Sequence, residues 1–124
     1  MDQIGQVAAF ESVFWHDARL MRCALVVDPV DFTSMFLIEM SALRAANQRD
    51  RFNLRLTLRS LTSFVLTGNA MHLTENCPAG NVSDGQISLD SEGALNICLF
   101  LADGYFQATC RRVEIEREEP IQAM

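Results

Sequence analysis

Residues 95–111 constrain the fold most. Leu95, Ile97, Leu99 and Leu101 alternate with Asn96, Cys98 and Phe100 up to Asp103-Gly104, beyond which Phe106, Ala108 and Cys110 alternate with Gln107, Thr109 and Arg111. Side chains on a strand change face at every residue, so a period of two on both sides of an Asp-Gly pair spells a β-hairpin. With Asp103-Gly104 as the central turn residues, Ala102 pairs with Tyr105, Leu101 with Phe106, Leu99 with Ala108 and Ile97 with Cys110. One face of this hairpin is apolar and the other mixed. The apolar parity then changes, to Val113 and Ile115, which calls for one extra residue, a β-bulge, near Arg111-Arg112.

The rest of the chain is read against this β-rich end. Residues 2–13 suit a short helix or arm, with Val7, Phe10 and Val13 sharing a side. From Phe14 to Asp28 the pattern is a long strand, and Cys23-Ala24-Leu25-Val26-Val27 is apolar on both parities, as in a strand covered on both faces. Asp28-Pro29-Val30-Asp31 ends it in a turn. Over residues 33–49 two periods compete. Phe36, Ile38, Met40 and Ala42 line one side of a strand, whereas Phe32, Met35, Phe36, Met40 and Leu43 make a helical stripe, and helix formers follow Leu43. The alternation predicts a strand over about 34–43. Phe52, Leu54, Leu56 and Leu58 alternate with Asn53, Arg55, Thr57 and Arg59, a half-buried strand with a polar, basic outer face. Residues 60–63 interrupt it and Phe64-Val65-Leu66 resumes. Residues 69–85, with Pro78, Gly80 and Gly85, read as loop, and residues 86–89 as a short strand.

At 124 residues and 49% hydrophobic, the chain can bury a core without staples. Its net charge of −6 argues against nucleic acid and against anionic membrane surfaces, since binding phosphate takes a surplus of Lys and Arg. All the basic residues are Arg. No segment has the basic start and apolar run of a signal peptide, nor the length of a membrane span, so a cytoplasmic location is expected. The four cysteines, at 23, 77, 98 and 110, form no C-x-x-C pair and no zinc spacing. Cys98 and Cys110 fall on opposite faces of the hairpin, a poor geometry for a disulfide.

Candidate chemistry gathers in Phe14-Trp15-His16-Asp17-Ala18-Arg19-Leu20. His16 has the chemistry of a general base near neutral pH, but on a continuous strand Asp17 points to the other face, where it would pair with Arg19. Trp15, His16, Asp17 and Arg19 are therefore binding candidates rather than a catalytic set, and His16 alternatively satisfies a buried backbone group. His72 and Cys77, in the long loop, are further binding candidates. Together with His16 or Asp84 they lack any recognised metal spacing, and a Cys77 nucleophile activated by His72 or His16 lacks a defined partner. No catalytic residue, metal site or cofactor is implied. Met21, Met35 and Met40 with the eight phenylalanines are either core filler or the lining of a small-molecule cavity.

The opening Trp15-His16-Asp17-Ala18-Arg19-Leu20 and the closing Cys110-x-x-Val113-x-Ile115 resemble a loose group of small bacterial β-rich proteins, found among mobile gene-cassette proteins and beside toxin-immunity proteins. The resemblance spans residues 14–116 and implies a compact antiparallel fold without established catalytic residues. The expected organisation is an N-terminal arm or helix over 1–13, one β domain over 14–116 and a solvated tail over 117–124. The expected fold is all-β, with about six antiparallel strands in a two-layer sandwich or partly open barrel. The expected function is non-enzymatic protein binding, immunity-like or adaptor, through a strand edge or the loop from 69 to 85, with the acidic charge suited to a basic partner. The alternative is a small-molecule binder or enzyme with a Met/Phe-lined pocket near His16. A homodimer is expected, joined edge to edge or through the face bearing Phe100.

Overall fold

In the computed structural model, which describes residues 2–47, 49–68 and 81–118, the described segments form one helix followed by strands. Asp2 starts the helix α1 (Gln3–Glu11) by accepting the Gly5 N–H at 2.8 Å, a short polar cap on an otherwise unsatisfied turn. Phe10 and Val13 are buried and Val7 packs against the core, as their spacing predicts. The strands are β1 (Ala18–Val27), β2 (Ser34–Leu43), β3 (Arg51–Arg59), β4 (Ser63–Gly68), β5 (Asn81–Leu89), β6 (Leu95–Leu101), β7 (Gly104–Cys110) and β8 (Arg112–Glu118). The fold is all-β with a short helix. Among the described residues there are eight strands where about six were expected.

The strands make one antiparallel sheet in the order β4-β7-β6-β5-β1-β2-β3-β8, not closed into a barrel. Phe36 of β2 and Phe106 of β7 lie four places apart in this order, a separation of about 19 Å in a flat sheet. Their ring centroids are 4.8 Å apart, so the sheet is folded over on itself and its inner face becomes the core. The folding is done at the corners. Ser60, at φ 53°, turns β3 into β4, and Arg111 turns β7 into β8. Arg111 N–H donates to Arg59 C=O at 3.1 Å and Thr62 N–H to Thr109 C=O at 2.8 Å, so pairing continues round the bend. The parity change after Cys110 is thus resolved by a bend at which the chain changes neighbours, rather than by a bulge within one ladder. Cys110 and Val113 both stay inside.

The 6–7 hairpin differs from expectation in register. Leu101 pairs with Gly104, Leu99 with Phe106, Ile97 with Ala108 and Leu95 with Cys110, a slide of two residues along β7. An even slide preserves the faces, so the apolar set is still buried. Gly104 belongs to the strand because β4 comes too close for a side chain there. A Cβ would collide with the Thr67 carbonyl, and the backbone has φ 147°.

Four other expectations are corrected. Residues 14–17 are not strand: Ala18 N–H donates to Trp15 C=O at 3.0 Å and Asp17 is left-handed at φ 64°, so β1 begins at Ala18. The apolar end of β1 is not covered on both faces, and Leu25 and Val27 remain exposed, because β5 pairs with β1 only at Ala18 and Arg19. Residues 81–85, read as loop, are the first half of β5. Arg117 and Glu118, assigned to the tail, end β8, with Glu118 opposite Asn53. The strand chosen over 34–43 is β2, with Phe36, Ile38, Met40 and Ala42 buried.

Candidate interaction surface

Trp15 is a structural anchor. Its indole is buried, donates to Phe10 C=O at 3.1 Å and lies on Phe10 with ring centroids 4.4 Å apart. Its ring also covers Gly85, where a Cβ would stand 2.8 Å from it. The break at Asp17 lets His16 and Asp17 meet, against the expectation of opposite faces: Nε2 and Oδ2 are 3.6 Å apart, on a surface where the imidazole is 63% exposed. Asp17 contributes through its backbone, donating N–H to Val82 C=O at 2.9 Å and accepting Arg51 Nη1 at 3.0 Å. The expected Asp17–Arg19 pair does not form, since Arg19 stands exposed on β1. His72 and Cys77 lie outside the described residues. Among the described residues no three His, Cys, Asp or Glu side chains converge.

Among the described residues, Met21, Met35 and Met40 do not share a cavity near His16. Met21 is pushed out at an irregularity in β1 between Leu20 and Arg22, Met35 receives the Arg59 guanidinium at 3.1 Å, and Met40 is core. Met21 and Met40 meet only at a shallow groove of about 200 Å³, shared with Glu39, Asn53, Arg55 and Glu118.

The outer face of β1, β2, β3 and β8 is laddered with charge. Arg22, Glu39, Arg55 and Glu116 stand opposite one another across the four strands, with Arg55 3.2 Å from Glu39 and 3.9 Å from Glu116. A second cluster holds Arg59 against Glu114 at 2.6 Å and Asp28 at 3.5 Å, and Glu114 raises the Arg59 pKa further by hydrogen bond and charge. Such rows suit a solvated face.

The largest apolar exposure begins at the turn that follows β1, whose Asp28 is the one that meets Arg59. The turn between β1 and β2 is held by its own acids: Asp28 Oδ1 accepts Val30 N–H at 2.8 Å, while Asp31 Oδ1 accepts both the hydroxyl and the N–H of Thr33, at 2.7 and 3.1 Å. Those bonds hold the Asp31 carboxyl below its ordinary pKa, led by the Thr33 hydroxyl. Phe32 N–H donates to Asp28 C=O and Asp28 N–H to Thr33 C=O, at 2.9 and 2.7 Å. This braced turn presents Val30 and Phe32 at 88% and 80% exposure. Phe32 has φ 59°, a left-handed conformation that costs a side chain roughly 1–2 kcal/mol. Leu25 and Val27 continue the patch down β1, and Leu25 shares a face with its partner Phe36. The Phe36 ring in turn lies 5.0 Å from that of Phe64 on β4, where Phe64, Val65 and Leu66 are also exposed. From the sequence, Val30 reads only as a turn residue and Phe32 only as one end of the competing helical stripe. Two large apolar side chains within Asp28-Pro29-Val30-Asp31-Phe32 were the available signal.

Comparison of the chain with family models, with curated proteins and with solved structures finds no significant match. Among the described residues no helix is long and apolar enough to cross a membrane.

Proposed function

We propose that this chain is a non-enzymatic protein-binding domain, immunity-like or adaptor, that holds a basic protein partner through its apolar end and works as a homodimer. The observation that carries this reading is the turn at residues 28–33, in which a strained backbone and its own hydrogen bonds hold Phe32 out in water. Strain of that kind persists only where the surroundings over-determine it, and it gathers at binding sites. Large exposed aromatics are the residues that fill partner pockets and dominate interface energy. Asp31 beside them and the net charge of −6 favour a pocket rimmed by Arg or Lys. The resemblance to β-rich proteins encoded beside toxin-immunity proteins agrees with this role and with a bacterial, cassette-borne origin.

The test is affinity capture, from the cells that make it, by the unaltered protein and by Phe32→Asn, over a series of salt concentrations. A basic protein held by the former, lost from the latter and released by salt is the expected result. Capture indifferent to Phe32 overturns the reading.

A further inference from the structure

We infer that Arg19, Arg51 and Asn81 form a site for one hydrogen phosphate ion where β5 meets the start of β1, at the opposite end of β1 from the Phe32 turn. On the outer face Asn81, Arg19, Ser41 and Asn53 stand opposite one another across β5, β1, β2 and β3, and Arg51 lies on the same face two residues before Asn53. The Arg51 guanidinium reaches back across β2, its Nη1 donating to Ser41 C=O and to Asp17 C=O, both at 3.0 Å. It is thereby fixed beside Arg19 with Nε and Nη2 left to donate. The other strand arginines of this face, Arg22, Arg55, Arg59 and Arg112, each lie against a glutamate. Among the described residues neither Arg19 nor Arg51 has a carboxylate within 4.0 Å of its guanidinium. Burial, and then the Arg19 charge, hold the Arg51 pKa below its ordinary value against the opposite pull of Asp17. Two like charges are therefore gathered where the rest of the face pairs opposite ones.

Guanidinium forks match the oxygens of carboxylate and phosphate, so the pair calls for an oxyanion. The net charge of −6 does not forbid it, because exposed charges are screened beyond about 8–10 Å at physiological salt and the local pair sets the potential that a small ion meets. A long polyanion would also meet the acids around it, whereas a single ion does not. Asn81 then selects among small anions. Its Oδ1 is buried and, among the described residues, accepts from no donor, although a buried acceptor ordinarily has a partner. Hydrogen phosphate dianion brings two negative charges for the two guanidiniums and keeps one O–H, which donates to Asn81 Oδ1. Sulfate has the two charges and no proton, and a carboxylate has one charge and no proton.

Titration of the unaltered protein with inorganic phosphate, sulfate and an alkyl phosphomonoester, followed by amide NMR shifts at constant ionic strength, tests this. The pH is set at about 8, where the monoester has lost its last O–H. Phosphate is expected to shift the amides around Arg19, Arg51 and Asn81 at millimolar concentration, and sulfate and the monoester to bind about tenfold or more weakly. Arg19→Gln is expected to weaken phosphate about tenfold or more, whereas Arg22→Gln, which removes the same charge from a paired position on the same face, leaves it unchanged. Asn81→Ala is expected to bring phosphate down to the affinity of sulfate. If a site variant fails to fold, the preference of the unaltered chain for phosphate over sulfate decides alone. No shift at these residues with millimolar phosphate overturns the inference, as does equal affinity for sulfate or an equal loss in Arg19→Gln and Arg22→Gln. A monoester that binds more tightly than phosphate overturns the free ion as the ligand.

Discussion

At Leu99 the pattern of the sequence and the packing of the structure coincide. It is fully buried, opposite Phe106 and flanked by Ile97 and Leu101 on the same face. Leu99→Ala is expected to cost about 2–5 kcal/mol in a urea melt, the usual range for a leucine with a cavity left behind. Gly85 was legible only as a loop glycine, because the ring that excludes its side chain comes from Trp15, far away in sequence. Gly85→Ala forces a Cβ into the indole and is expected to lower stability by about 1–3 kcal/mol, and an unchanged melt would show that Trp15 can move aside. Cys110 is free and buried, and burial pushes its thiol up to about 11. Because the folded value is raised, its contribution to stability is full below the ordinary value near 9 and is lost as pH rises from there. In the folded protein, thiol reagents are expected to leave Cys110 unmodified at mildly alkaline pH and to reach it only on unfolding, followed by peptide mass analysis. Of the site candidates, Trp15 proved to be core, and His16 and Asp17 a surface pair, because the left-handed Asp17 breaks a strand that the alternation had continued.

For elements, the period-two signal was dependable wherever one face is buried and the other wet, as in β3, where Phe52, Leu54, Leu56 and Leu58 all face inward. It failed where partners, not patterns, decide. The turn of the 6–7 hairpin was misplaced by one residue, and its pairing by two, because Gly104 answers to β4 rather than to the turn, a long-range demand with no local signature. Helix α1 is legible as apolar spacing, but its purpose lies in Gln6, whose carbonyl oxygen meets the buried Val113 N–H. Gln6→Ala leaves that donor without its acceptor and is expected to cost about 1–3 kcal/mol, whereas Gln6→Glu keeps an oxygen there and should cost less in the same melt. The acid-braced turns give a pH dependence. Asp90 is held below its ordinary value chiefly by the Ala94 N–H, and then by that of Glu92, as Asp31 is by Thr33. Lowered folded values mean that this support is present above the ordinary carboxylate value and is lost as pH falls through the depressed ones. The urea midpoint is therefore expected to fall on acidification below about pH 4, and a midpoint insensitive to acid would show that these turns are not supporting the folded state.

At the scale of the molecule, composition indicated a packed core and alternation its β class, but the folding-over of one sheet was not legible. It depends on two corners, at Ser60 and Arg111, meeting across the chain. That folding brings Phe36 of β2 against Phe64 and Phe106, and so gathers the apolar exposure of β1, its turn and β4 at one end while the charged rows occupy another face. If that end is kept for a partner, its most exposed aromatic should be a burden to the isolated fold. Phe32→Asn removes a ring that makes little of the core and places at φ 59° a residue that tolerates the left-handed region. The decisive measurement is the urea unfolding of Phe32→Asn beside the unaltered protein: the account predicts a midpoint raised by up to about 1 kcal/mol of stability, and a loss of 1 kcal/mol or more, on the order of a buried contact, would contradict it by making Phe32 a structural residue.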